Sequence, residues 1–318
     1  MYDGIGKHWT WDNLDLRAVA ATEIRGTKVV FGSSFNNSPG VQDPWKTLLA
    51  WGFPYTTSAL APTPVTAPPI AGGLSQTTLG LTAYAWIDSK FYVEAGGYRS
   101  PAASLLSGLG ADPFALGNIH GVATYIRLAM QQPVGRGVLE VRAFSLRASL
   151  FPGRDRSTGS TDRYTDIGVD TWYQLPRANG DLVTLNTGYT HEVETLRASY
   201  RLGGVSVIDA MLDDLRLDAF YYWRNAIGGT IGVFQTTGSA DPLRFGGRTS
   251  RPRSNGSIVQ LDGTPFGGGS PAGSWVNVRV GVQYTFYTSF DGARTDYDGA
   301  GTNASANNTL RFFLWLAF

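Results

Sequence analysis

The residues able to do acid–base or ligand chemistry in this chain are few and widely spaced. His8, His120 and His191 are the three histidines among 318 residues, and there is no cysteine. A nucleophile–base site needs a histidine beside a serine or carboxylates in one place. His120 and His191 fall near the ends of alternating segments, where a rim site of that kind would sit, but histidines are common on polar rim loops and solvation is the plainer account of them. His8 is a candidate axial ligand only for a haem attached elsewhere. Without cysteine the chain has no disulfides, no thiolate metal site and no covalent c-type haem attachment of its own. GLGADP, 108–113, lacks the last glycine of a dinucleotide loop and follows no βαβ pattern, so it is set aside. No catalytic or metal-binding residue is assigned, and the chain is read as a non-enzyme.

The charged residues carry a stronger signal, because they alternate with apolar ones. In WVNVRVGVQYTFYTSF, 275–290, one face holds Val276, Val278, Val280, Val282, Tyr284 and Phe286, and the other Asn277, Arg279, Gly281, Gln283, Thr285 and Tyr287. Period two is the pattern of a strand with unlike faces. Its length exceeds the roughly 5–6 residues of ordinary strands and reaches the roughly 9–11 that cross a bilayer in a barrel. The last segment repeats the arrangement, with Leu310, Phe312, Leu314, Leu316 and Phe318 opposite Thr309, Arg311, Phe313, Trp315 and Ala317. If the apolar faces meet lipid, the lumen receives Asp15, Arg17, Glu94, Arg127, Glu140, Arg142, Arg147, Asp166, Asp170, Arg216, Asp218, Arg279 and Arg311. Charges cost far less facing water or one another than facing lipid. A neutralised, plugged interior and an open pore both fit this set.

These residues need strands to position them. Alternation predicts strands over 13–23, 27–36, 76–87, 91–98, 120–130, 137–150, 163–174, 181–190, 213–223, 226–236, 256–266 and 275–290, followed by the segment ending at Phe318. Within 137–150 the apolar phase slips from Leu139, Val141 and Ala143 to Phe144, Leu146 and Leu150. A β-bulge near 143–144 would place Glu140, Arg142, Ser145 and Arg147 on one face. The connections alternate short and long from end to end, as in outer-membrane barrels with short periplasmic turns and longer extracellular loops. The longest, 37–75, lies outside or folds inward; within it DPWKTLLAWG, 43–52, has a helix start at Asp43 and Pro44. Arg244, Arg248, Arg251 and Arg253 make a basic extracellular loop, either simply solvated or attracting lipopolysaccharide and anionic solutes.

Composition agrees with this reading. Forty glycines and many aromatics against three methionines favour strands and tight turns, and the net charge of +1 gives no nucleic-acid footprint. No run of about 18 apolar residues occurs that would make a transmembrane helix. MYDGIGKHWT has neither the basic start nor the apolar stretch of a signal peptide, so a longer precursor is expected. Bacterial single-chain barrels usually have even strand numbers. About thirteen strands therefore imply at least one more before residue 1, in a parent of about 14–16. The expected fold is all-β: one antiparallel transmembrane outer-membrane β-barrel over 1–318.

FNNSPGVQDPWKT (35–47), AWGFPY (50–55), GGLSQTTLGLTAYAW (72–86), GGYRS (96–100) and the tail from Val280 to Phe318 resemble the porin part of bacterial outer-membrane fused cytochrome c–porin proteins. The resemblance covers most of the chain and carries no chemical motif. It implies location in the outer membrane of a Gram-negative bacterium, contact with outer-membrane lipid and lipopolysaccharide, and delivery through Phe318 to the barrel-assembly machinery. It also implies a c-type haem upstream of the barrel in a longer parent, with a periplasmic redox partner and electron transfer across the membrane. A passive solute porin is the alternative, and a barrel enzyme a more remote one.

Overall fold

In a computed structural model of the chain, residues 2–3, 8–39, 61–224, 226–265 and 277–317 are described. Thirteen strands make the wall: β1 Asp15–Ile24, β2 Thr27–Asn36, β3 Leu79–Ile87, β4 Phe91–Arg99, β5 Ala123–Val134, β6 Gly137–Phe151, β7 Asp162–Pro176, β8 Leu182–Leu196, β9 Asp209–Trp223, β10 Ile227–Gly238, β11 Ser254–Gly263, β12 Asn277–Ser289 and β13 Thr309–Ala317. Each pairs antiparallel with the next in chain order. A two-residue strand, Asn118–Ile119, adds to the end of β6, and Tyr2–Asp3 pairs separately with His8–Trp9. Among the described residues, helices are confined to short turns such as α1, Ala103–Gly108, and α2, Arg197–Arg201. None is long and apolar enough to cross a membrane.

The strands lie where alternation puts them; β8, β9, β10 and β11 run further toward the long loops, whereas β1, β3 and β5 begin two or three residues later than expected. β8 continues past residue 190 because His191–Leu196 keeps the alternation and pairs with Asp162–Ile167 of β7. The proposed bulge in β6 is corrected: Val138–Leu150 pairs with β7 without a shift of register. Alternation continues unbroken, so Phe144, Leu146, Ala148 and Leu150 join Glu140 and Arg142 on the buried inner face, while Arg147 lies exposed on the outer one. Arg147 is therefore not a lumen residue. The apolar phase changes because the interior changes from ionic to aromatic along this strand.

Burial is inverted relative to a water-soluble fold. Glu94, Arg127, Glu140, Arg142, Asp166 and Asp170 are between 0 and 2% exposed, whereas Leu16, Leu81, Ile231, Leu310 and Phe312 are at least 59% exposed. Charged residues are almost never fully buried in soluble domains, and their apolar patches are held to a few hundred Å². Here the apolar belt extends over the outer face of the whole sheet, with Phe91, Tyr173, Tyr221 and Trp223 toward its short-turn border. This is the wall of an all-β, antiparallel, outer-membrane-type barrel.

Two features show how the sheet curls. Residues 61–78 enter the interior as a strap: the Tyr287 hydroxyl of β12 donates to the Pro62 carbonyl at 2.7 Å, and the Ile70 N–H donates to Asp166 of β7 at 2.9 Å. One short segment touches walls five strands apart only if the sheet bends around it. Inward glycines facing aromatics ease that bend. A Cβ at Gly32 would lie 2.1 Å from the ring of Tyr84 directly opposite, and one at Gly168 would lie 2.2 Å from Phe144. The rings lie across the glycines and fill the space. Among the described residues no ladder joins β13 to β1, and both strands run toward the short-turn end.

Candidate pore lining and the strap that divides it

Alternation carries the inner face of every strand into one shared interior, and the strap splits that interior into two unlike parts. On the β4–β8 side it is filled. Glu94 stands opposite Arg127, and Arg142 opposite Asp170, in adjacent strands. Arg127 reaches past β6 to Asp170 at 3.2 Å, Arg142 bonds the same carboxylate, and Glu140 lies 3.7 Å from Arg142. The Tyr92 hydroxyl donates to Glu94 at 2.9 Å, and the Arg127 guanidinium lies 5.8 Å from the centre of the Phe144 ring. Buried charges persist only when paired and hydrogen-bonded. Nearer the long-loop end the filling becomes apolar, with Ile70 and Leu74 of the strap packed against Tyr98, Tyr125, Phe144, Leu146 and Leu150.

On the β9–β12 side a cavity of about 300 Å³ remains between strap residues 61–67 and the wall; Arg216, Asp218, Thr236, Gln283 and Thr285 line it together with Val233, Phe234, Ile258 and the strap prolines Pro62 and Pro64, which make most of its surface apolar. The polar groups in and around it are ordered. Arg216 donates to Asp214 at 2.9 Å, and Thr236 donates to the other oxygen of Asp214 at 2.7 Å. Gln283 donates to Gln260 at 2.9 Å, Gln260 to Asp262 at 3.0 Å, and Arg279 to Asp262 at 3.0 Å. Arg216 is held by Asp214 on its own strand and Arg279 by Asp262 on the adjacent one, whereas Asp218 makes no ion pair or side-chain hydrogen bond among the described residues.

Of the residues expected in the lumen, Arg127, Glu140, Arg142, Asp170 and Glu94 form the filled ionic core, and Asp166 anchors the strap. Arg216, Asp218 and Arg279 belong to the cavity side. Asp15 and Arg17 pair with each other at 2.6 Å on β1, apart from both groups, and Arg311 lies on the inner face of β13. Sequence reasoning missed Glu192 and Glu194, which are 1% exposed, as well as Asp214 and Asp262. Glu194 takes a two-pronged contact from Arg244, at 2.5 and 2.8 Å, so a loop arginine reaches into the barrel mouth. Carrying period two from Thr184 through HEVETL would have found both glutamates. Asp214 shares the phase of Arg216 and Asp218.

At the rim, Asp241 ties two long loops together by accepting from the Ser206 hydroxyl and from the N–H groups of Ser206, Leu243 and Arg244. Burial acts to raise its pKa, but these donors outweigh it and hold the carboxyl below its ordinary value. His191 does not face the lumen. It bonds Asp213 at 2.8 Å on the outer face, and the Tyr189 hydroxyl donates to the same oxygen. His120 is exposed and lies edge-on to Phe151. The side chain of His8, the helix start at Asp43 and Pro44, and Phe318 fall outside the described residues.

No family model matches the chain, and no curated protein does. Among solved structures it is similar to OmpT (in-vitro folded), an outer membrane protein of Vibrio cholerae, at 9% identity and a TM-score of 0.35, with 95% of each chain covered. A likeness of that size gives no lumen residue a role.

Proposed function

We propose that the chain is a porin-like barrel of the bacterial outer membrane, non-enzymatic, with a narrow passage on its β9–β12 side. The observation that carries this is the division of the lumen. The strap and the Arg127–Asp170–Arg142 cluster fill one half, whereas the other keeps a cavity of about 300 Å³ beside strap residues 61–67, into which Arg216, Asp218 and Gln283 bring polar groups among apolar ones. Passage through such a barrel depends on width and lining charge. The strap sets the first, and Arg216 and Asp218, which line the cavity, set the second. Short turns face the periplasm and long loops the exterior in this reading.

The sequence resemblance extends the proposal to the porin part of a cytochrome-fused protein that supports electron transfer. A c-type haem does not fit these residues, because covalent attachment needs cysteines and the chain has none. No electron-transfer step is assigned to this chain; in that reading it supplies the wall around a haem segment of a longer parent.

Planar-bilayer recording of the folded chain tests the passage. A small, steady conductance is expected, with a larger one after Ile70→Ala with Leu74→Ala, which loosens the strap. In parallel, a spin label at position 280 should respond to lipid-soluble quencher and one at 279 to water-soluble quencher. Silence from both proteins would remove the pore, and equal quenching at the two sites would remove the membrane barrel.

A further inference from the structure

On the outer face of β6, β7 and β8, just beyond the apolar belt at the long-loop end, the wall turns cationic. Arg147 and Arg163 are exposed there, and Arg197 follows at the start of α2. Register places Arg147 opposite Thr165 and Arg163 opposite Ser149 and Thr195, so the two arginines are diagonal neighbours on adjacent strands. That spacing is about 7–8 Å, near enough for both guanidinium groups to close on one phosphate. Two clefts meet at this point. One, of about 590 Å³, is lined by Arg147, Ser149, Arg163, Thr165, Val193 and Thr195. The other, of about 420 Å³, shares Arg163 and Thr195 and adds His120, Arg197 and Asp209. None of the three arginines forms an ion pair with a described residue. Directly below, on the same face, Ile126, Ile167 and Val169 are exposed, and Val193 and Met211 are exposed in the row of Arg147.

We infer that this groove is a binding site for a phosphorylated lipid of the outer leaflet, its phosphate held by Arg147 and Arg163 and its acyl chains laid along the apolar strip beneath. Charge and hydrophobicity select this occupant together. A soluble anion would use the arginines and ignore the strip, whereas a neutral lipid would use the strip and leave two arginines at the membrane border without a counter-ion. Ser149, Thr165 and Thr195 supply further hydroxyl donors at the same level. The inference rests on the outer-membrane reading above, which places this end of the wall in the outer leaflet.

The test uses the full chain folded in detergent, with retained lipid measured by native mass spectrometry, and its insertion into phosphatidylcholine vesicles followed separately. Diphosphoryl lipid A is the probe, against its dephosphorylated form and against inorganic phosphate as competitor. Wild-type protein should retain the phosphorylated lipid, and R147Q/R163Q should bind it more than about tenfold more weakly. R147K/R163K should fall between, because the charge stays and the planar fork is lost. R251Q/R253Q, in the basic loop, should bind as wild type does. Equal retention by wild type and R147Q/R163Q, with both inserting normally, would overturn the groove and leave the barrel standing. Displacement of the lipid by inorganic phosphate at similar concentration would overturn it in favour of a soluble anion. Failure of every form to enter vesicles would overturn the barrel and the groove together.

Discussion

At the residue scale, what matters is which side of the wall a charge occupies. Ile231 is 60% exposed in the middle of β10, on the apolar outer face, whereas Thr285 lines the cavity. Ile231→Arg should therefore destabilise the protein in vesicles by about 2–4 kcal/mol, the cost of arginine near the bilayer midplane. Thr285→Arg should cost much less and change conductance instead; urea titration of the vesicle-inserted protein ranks the two. Asp170 shows the inward case. It answers both Arg127 and Arg142, so Asp170→Ala should cost about 3–5 kcal/mol by leaving buried cations without it. At the short-turn end, Asp181 accepts from the Tyr221 hydroxyl, the Arg224 N–H and the Asn179 amide. The Tyr221 bond foremost holds this carboxyl below its ordinary value, against the opposing effect of burial. A lowered folded pKa means the contribution is complete above the unfolded value, about 3.9, and disappears as pH falls through the folded one. The stability gap between wild type and Asp181→Asn should thus be constant at neutral pH and close below about pH 4.

At the scale of the element, β6 and the strap decide how the interior is filled. β6 carries Glu140 and Arg142 and then Phe144, Leu146 and Leu150 on one face, so a single strand serves both the ionic core and the apolar packing beneath the strap. Gly168 of β7 is the complement of that change, since only a residue without Cβ leaves room for the Phe144 ring. Gly168→Ala should cost about 1–3 kcal/mol through displacement of Phe144, the range for overpacking a filled site. Adding Phe144→Leu should recover part of the loss, and equilibrium unfolding of the single and double variants reads the coupling. Independence of the two substitutions would show that the ring and the glycine are not in contact.

Across the whole molecule, the odd number of strands leaves β1 and β13 parallel. Antiparallel pairing on both sides of the gap between them takes an odd number of further strands, whereas direct contact would need a parallel ladder. Unpaired N–H and C=O groups are costly in lipid, at several kcal/mol each. These edges are consequently the least stable part of the wall as described. Amides of β1 and β13 should exchange with deuterium well before those of β7 and β8, which are paired on both sides over most of their length. Uniform protection around the barrel would mean that the two edge strands find each other.

Much of this architecture was legible from residues in order. Period two is a local property, so the faces of β12 and β13, with Arg279 and Arg311 turned away from Val280 and Leu314, follow from sequence alone. So do the thirteen strands and the alternation of short and long connections. The sequence could not say that Arg147 faces outward, because the exchange of ionic for aromatic filling along β6 looks like a slip of phase until Ile70, Leu74 and Tyr125 are seen opposite it. Nor could it pair Glu194 with Arg244, fifty positions apart, or bring Pro62 to Tyr287 across the lumen. Alternation assigns a side chain to a face through the covalent geometry of the strand. Which residues then meet inside is set by how far the sheet curls and what the strap fills, and only the tertiary structure decides that.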